Sequence, residues 1–208
     1  MRMLNNIQLS PHFSLLELTE SATARQRDIA NIPPPEAVEN LKRLCKGTLE
    51  PLRKALGLPV IITSGYRCKE LNNIVNRSSK TSQHMQGCAA DFYVSSAGSM
   101  RQSRGSLTKV QGSRFKVQGQ SDLKVDDKVQ CGKAAVQDSK VLGRRELLIM
   151  GFRLIILNED IDYDQLILYP TFIHVSYVSR SKNRRKIIKA NGHGTYCTVT
   201  REAALCLS

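Results

Sequence analysis

Ser82-Gln83-His84-Met85-Gln86-Gly87-Cys88-Ala89-Ala90-Asp91 is the most informative stretch of this 208-residue chain. It places an imidazole and a carboxylate, His84 and Asp91, on either side of Gly87. Glycine allows the tight backbone turn that a short link between two such side chains requires. Phe92-Tyr93-Val94 follows and is typical of a strand, so Asp91 is predicted to lie at the start of a rigid element.

A second imidazole comes from Phe172-Ile173-His174-Val175-Ser176, which is predicted to be a strand. Zinc accepts imidazole nitrogen and carboxylate oxygen, and a site with three protein ligands keeps its fourth position for water. His84, Asp91 and His174 are therefore candidate ligands of a catalytic Zn2+ ion. Spacing alone is a weak signal, because a histidine and an aspartate at this separation are common.

Size and composition favour one domain. The chain has 23.2 kDa and 41% hydrophobic residues, enough for one core, and without tryptophan that core is mostly aliphatic. No apolar run approaches the roughly 20 residues of a membrane span. Asn5, Asn6 and Gln8 interrupt any early apolar stretch, so no signal peptide is predicted and the chain is expected to be cytoplasmic as synthesised. We expect a monomer.

The formal charge of +13 predicts attraction to polyanions, whether nucleic acid, bacterial wall polymers or anionic membrane surfaces. One basic segment lies between Arg101 and Glu146, and a second between Arg180 and Lys189. A basic run is usually a solvated face, which is how the second segment is interpreted. None of the six cysteines forms a Cys-x-x-Cys pair, which argues against a zinc ribbon.

Residues 95–143 differ in character from the rest. They are rich in Ser, Gly, Gln and Lys, and Lys109-Val-Gln-Gly112 recurs as Lys116-Val-Gln-Gly119. Such low-complexity sequence buries too little apolar surface to offset its ordering entropy. We therefore predict a disordered insertion at 95–143, within a single domain formed by 1–94 and 144–208.

The flanking segments predict both helices and strands. Helical spacing follows Pro33-Pro34-Pro35, with a break at Pro51 and an end at Gly57. Val60-Ile61-Ile62-Thr63 is typical of a buried strand, and Arg144 begins another helix. Asp162–Tyr169 and Phe172–Val178 alternate and predict two antiparallel strands around a turn at Pro170.

The motif Ser82-x-His84-x-x-Gly87-x-Ala89-x-Asp91 resembles the signature of the zinc D-alanyl-D-alanine carboxypeptidase family, whose members also include dipeptidases and phage endolysins acting on peptidoglycan peptides. Thr63–Arg67, Phe13–Ala24 and the pair Tyr163–Ile167 with Ile173–Ser176 are similar to further segments of that family. The resemblance covers about 12–94 and 144–178. It implies an α+β fold of the Hedgehog and D-Ala-D-Ala peptidase type, a small antiparallel sheet with flanking helices, and Zn2+ held by His84, Asp91 and His174.

The resemblance also implies roles for other residues. Arg67 would reach into the site as a catalytic and substrate-binding residue, pairing with a carboxylate or polarising a carbonyl oxygen. Ser82 would hydrogen-bond the substrate or a ligand. The family's general base is usually a Glu or Asp three residues before the last histidine, where this chain has Thr171. Asp164 is the predicted substitute base, and Tyr169 is a weaker one.

The sequence therefore predicts zinc-dependent hydrolysis of peptidoglycan peptides, and a phage or prophage origin would explain release to the wall without a signal peptide. Thr171 keeps a second hypothesis open, a catalytically silent zinc domain that binds wall peptides. Nucleic-acid binding is a third hypothesis, and only the charge favours it.

Overall fold

The computed structural model describes residues 7–75, 78–96, 142–191 and 194–207. The predicted insertion at 95–143 lies almost entirely outside these ranges, so the proposed division of the chain stays a prediction. The described parts on either side of it share one hydrophobic core, to which Leu41, Phe92, Phe152 and Val175 contribute.

Seven helices and eight strands make up the described parts. The helices are α1 (Leu15–Thr19), α2 (Ala22–Gln26), α3 (Pro35–Leu44), α4 (Glu50–Leu56), α5 (Lys69–Ile74), α6 (Arg144–Leu157) and α7 (Arg201–Leu205). The strands are β1 (Gln8–Ser10), β2 (Phe13–Ser14), β3 (Val60–Ser64), β4 (Ala89–Val94), β5 (Gln165–Leu168), β6 (Ile173–Ser176), β7 (Lys186–Ala190) and β8 (Tyr196–Thr198).

The break predicted at Pro51 and the end predicted at Gly57 are both confirmed. A π-helical turn, Cys45–Leu49, separates α3 from α4 just before Pro51. Proline lacks the N–H that an α-helix needs and its ring crowds the preceding turn, so a widened turn there relieves the conflict. Gly57 then ends α4 in the left-handed conformation, with its N–H donating to the carbonyl of Arg53.

Six strands form the main sheet in the order β3-β4-β6-β5-β7-β8, and β1 pairs with β2 separately. All neighbours in the main sheet are antiparallel except β5 and β7. The predicted α+β class and the hairpin around Pro170 are confirmed. Strand β7 is not predicted from the sequence, because the basic segment between Arg180 and Lys189 is interpreted there as a solvated face. Strand β8 is not predicted either.

The two faces of the sheet have different roles. Phe92, Val94, Leu166 and Val175 point into the main core, against which α4 and α6 also pack. Because side chains alternate along a strand, the residues between them point to the opposite face. Asp91 and His174 lie on that second face, so the core fixes their position while they stay outside it. No described helix is long and apolar enough to cross a membrane.

Candidate metal centre

Two of the three predicted ligands are opposite each other in the sheet. Asp91 on β4 and His174 on β6 are direct cross-strand partners. Their side chains therefore leave the same face, and His174 Nδ1 lies 2.8 Å from Asp91 Oδ1. Sheet pairing thus brings together two residues that are 83 positions apart in the chain.

His84 reaches the same point from a 3-10 turn, Gln83–Gln86, whose N-cap is Ser82. Gly87 ends that turn with φ of 70° and passes so close to α3 that a Cβ there would lie 2.3 Å from the carbonyl oxygen of Ala37. Only glycine fits this position. His84 Nε2 consequently lies 3.3 Å from Asp91 Oδ1 and 3.2 Å from His174 Nδ1.

The donor set of this cluster fits a divalent cation. One ligand atom from each of the three residues lies within 4.8 Å of the others. His84 Nδ1 lies 2.7 Å from the carbonyl oxygen of Gly65. A carbonyl only accepts hydrogen bonds, so Nδ1 carries the proton and the lone pair of the neutral ring is at Nε2, facing the carboxylate. Two acceptors at this distance repel unless a cation lies between them.

The protonation states agree with that arrangement. Burial lowers the pKa of His84, which keeps its ring neutral at physiological pH. Burial alone would raise the pKa of Asp91, but its close contacts with His84 and His174 outweigh burial and hold that pKa far below its usual range. The cluster therefore offers an ionised carboxylate and a neutral imidazole, as metal ligands must be.

Arg67 lies beside the cluster and contacts it directly. Its Nη2 donates to Asp91 Oδ2 at 2.9 Å and its Nε donates to Ser64 Oγ at 3.0 Å. Its side chain is only 11% exposed. This contact occupies Oδ2 and leaves Oδ1 directed at the two histidines, so Arg67 orients the carboxylate. The substrate role predicted for Arg67 stays a prediction.

The cluster lies in a cleft of about 980 Å³. One wall is polar and includes Ser78, Thr81 and Ser82. Ser82 Oγ also accepts a hydrogen bond from the backbone N–H of His84 at 3.4 Å, which is a capping contact, so its predicted substrate role stays a prediction. Thr171, three residues before His174, is exposed and also lines the cleft.

Another part of the cleft lining is aromatic. Tyr169 stacks on Phe172 with ring centroids 4.3 Å apart, and Tyr196 meets the edge of Tyr169 at 6.2 Å. Burial and the hydrogen bond to Tyr196 raise the pKa of Tyr169, so its phenol stays protonated and can donate a hydrogen bond. Neither Tyr196 nor its strand β8 is predicted from the sequence.

Asp164, the predicted base, is held by other side chains. Arg184 donates to its Oδ1 from the backbone N–H and Nε, each at 2.9 Å, and to its Oδ2 from Nη2 at 2.5 Å. Gln83 Nε2 donates to Oδ2 at 2.9 Å. Burial would raise the pKa of Asp164, but these bonds outweigh it and lower the pKa to about 2. Asp164 is therefore a weak base at neutral pH in this environment, and its catalytic role stays a prediction.

Together the α+β fold and the His-Asp-His cluster in its cleft define a candidate metal-binding protein. A model of the family Peptidase M15 matches residues 11–121, just over half of the chain. The chain belongs to this family, which is of the zinc D-Ala-D-Ala carboxypeptidase type, so the resemblance stated from the sequence is confirmed. The match ends before His174, whose place in the cluster comes from the sheet pairing. No curated protein and no solved structure matches the chain.

Proposed function

We propose that this chain is a zinc-dependent peptidase that hydrolyses peptide bonds in bacterial peptidoglycan. One observation carries the proposal: His84, Asp91 and His174 converge in an open cleft, with His84 Nε2 and Asp91 Oδ1 only 3.3 Å apart. In a chain of a zinc-dependent peptidase family, this donor set supports Zn2+ as the ion and these three residues as its ligands.

Some residues of the chain would position the metal ligands, and others would bind the substrate. The Gly65 carbonyl fixes the ring of His84, and Arg67 fixes the carboxylate of Asp91. A bound zinc ion would polarise the substrate carbonyl and lower the pKa of water. The phenol of Tyr169, which donates to Tyr196 in the structure, lines the same cleft and would donate instead to an oxygen of the substrate. Ser82, on the polar wall, would bind the peptide backbone.

The proposal also includes the organisation of the enzyme and the route by which it reaches its substrate. A single domain formed by 1–94 and 144–208 would carry the site, acting as a monomer on peptides of the bacterial wall. Synthesis in the cytoplasm followed by release through a phage-type lysis route would bring the enzyme to its substrate. The basic segments would favour retention on anionic wall polymers.

A specific observation also favours a second function, a catalytically silent domain that binds wall peptides. Among the described residues that line the cleft, Asp91 is the only carboxylate, and Arg67 already engages it. Thr171 cannot take a proton at neutral pH, and the pKa of Asp164 is about 2. Nucleic-acid binding rests on charge alone.

Metal analysis tests zinc binding, which both candidate functions require. The wild-type chain is expected to retain about one zinc ion after dialysis, and His84→Ala to lose it. His12→Ala is the matched control, because His12 pairs with Glu50 instead of lining the cleft. If His84→Ala and His12→Ala retain equal zinc, the proposed centre is wrong.

Turnover then separates the two candidates. Purified peptidoglycan is incubated with zinc-loaded protein, and released D-alanine and new amino termini are measured. Product that depends on His84 supports the peptidase. Bound zinc together with pelleting on peptidoglycan, but without product, supports the silent binding domain.

A further inference from the structure

The loop between β6 and β7 brings one arginine to the cleft that holds the metal cluster. Arg184 lines this cleft, and its side chain is 58% exposed. Asp164, its partner, has a side chain only 2% exposed and is not among the described residues that line the cleft. The positive end of this ion pair therefore faces the cleft, while the negative end lies behind it.

The contact with Asp164 fixes the direction of the guanidinium. Two side-chain bonds, from Nε to Oδ1 and from Nη2 to Oδ2, form a parallel pair. This fork uses only part of the donor capacity of an arginine and keeps its planar guanidinium oriented. Gln83 Nε2 holds Oδ2 of the same carboxylate. Because Arg184 is held in place before any ligand arrives, binding a ligand costs less side-chain entropy.

The loop that presents Arg184 is itself tightly held. Asn183 Oδ1 accepts hydrogen bonds from the backbone N–H groups of Val178 and Ser179, at 2.9 and 3.3 Å. Arg185, the next residue after Arg184, has φ of 51°, in the left-handed region that a side chain rarely adopts. Such a conformation persists only where the surroundings impose it, and it is frequent at binding sites.

Two other arginines of this loop provide a contrast. Arg180 and Arg185 both pair with Asp162, and neither is among the described residues that line the cleft. Arg184 is thus distinguished by where it points and not by the charge of the loop as a whole. The charged residues of the described lining are Arg67, Arg184 and Asp91, a balance that favours an anionic group on the ligand.

We propose that Arg184 is a substrate-binding residue that receives a carboxylate of the peptide, and that Asp164 is the residue that positions it. The identity of the peptide rests on the proposed function, since wall stem peptides carry carboxylates within their length and at their end. In this role Asp164 acts through Arg184 and Gln83 and does not itself touch the reacting bond.

The test uses a substrate series together with matched variants. The zinc-loaded chain is given the stem pentapeptide L-Ala-γ-D-Glu-L-Lys-D-Ala-D-Ala, and the same peptide with either the glutamate α-carboxylate or the terminal carboxylate converted to an amide. Affinity is measured as Kd by calorimetry, or as KM where the peptide is cleaved. The comparison is between wild type, Arg184→Ala and the control Arg180→Ala, with zinc content and thermal unfolding recorded for each.

We expect Arg184→Ala to weaken binding of the parent peptide by about ten- to a hundredfold, the range for a charge-assisted hydrogen bond. One amidated peptide should bind the wild type as weakly as the variant, and for that peptide the substitution should change little. Arg180→Ala should match the wild type throughout. Asp164→Asn should give a smaller loss, and Arg184→Lys should restore part of the affinity because it keeps the charge.

Three results would overturn the proposal: an equal loss on all three peptides, no loss on any, or a wild type that binds none of them. If Arg184→Ala does not fold, the same comparison is made with Arg184→Lys and Arg184→Gln, whose difference isolates the charge. Selective binding without cleavage supports the role of Arg184 while the proposed hydrolysis fails, so the two failures are distinguishable.

Discussion

Gly87 and Gly57 give a matched test of how tightly the ligand-bearing turn is packed. Both have left-handed backbones, with φ of 70° and 64°. A Cβ on Gly87 would lie 2.3 Å from the carbonyl oxygen of Ala37, whereas a Cβ on Gly57 would meet nothing within 4 Å. Alanine at either position carries the backbone strain, but only at position 87 does it also force the backbone of α3 away.

The expected magnitudes follow from that difference. A left-handed backbone costs a non-glycine residue about 1–2 kcal/mol. Forced overpacking adds about 1–3 kcal/mol. Gly57→Ala should therefore lower the free energy of unfolding by about 1–2 kcal/mol, and Gly87→Ala by about 2–5 kcal/mol. Urea unfolding of the metal-free variants, followed by circular dichroism, measures both.

Zinc affinity should separate the same two variants. The turn that carries His84 is joined to α3 by a hydrogen bond from Asn40 Nδ2 to the carbonyl of Gln86, at 2.9 Å. Moving α3 from the turn should shift His84 and weaken zinc binding by about tenfold or more, as loss of support around a ligand does. Competition with a chromophoric chelator measures this. Equal destabilisation by the two alanines, or wild-type zinc affinity in Gly87→Ala, would refute the reasoning.

Two further predictions concern carboxylates in and behind the cleft. Thr171→Glu places a carboxylate three residues before His174 and should raise turnover of peptidoglycan about a hundredfold over Thr171→Gln, the neutral control; initial rates that do not differ would argue against a missing base. The folded pKa of Asp164 is about 2 against an ordinary 3.8, so its stabilisation is complete above pH ~4 and is lost as the pH falls toward 2. The loss amounts to about 2 kcal/mol. As the pH is lowered from 5 to 2, the midpoint of thermal unfolding should therefore fall less for Asp164→Asn than for the wild type. An equal fall in the two proteins would contradict the ion pair with Arg184.

Local patterns in the sequence were enough for several elements of the fold. Pro51 predicted the interruption between α3 and α4, and Gly57 predicted the end of α4, because each residue has a backbone restriction that acts within one turn. The hairpin around Pro170 was predicted from alternation. By contrast, β7 was not predicted, because Lys186 and Lys189 flank its two buried isoleucines and made the segment resemble a solvated basic face. Strand β8 was not predicted either.

In the candidate site, too, some features are predictable from the sequence and others are created only by the fold. The sequence determined which side chains could bind a metal, since His84, Asp91 and His174 are the right types and the motif around two of them is specific. It could not determine that the Gly65 carbonyl would orient the ring of His84, or that Arg184 would form an ion pair with Asp164. Those contacts join segments that are far apart in the chain, and nothing local encodes them.

By itself, then, the sequence determined the ligand types, the turns next to them and the family. Tertiary structure decided that Asp91 and His174 face each other across β4 and β6, that the carboxylate of Asp164 is held by an arginine, and that Arg184 lines the cleft. The physical reason is that the register of a sheet is selected by the burial of its whole apolar face. A shift of one residue would send every ligand on a strand to the other side, so the site depends on the collective packing of the core.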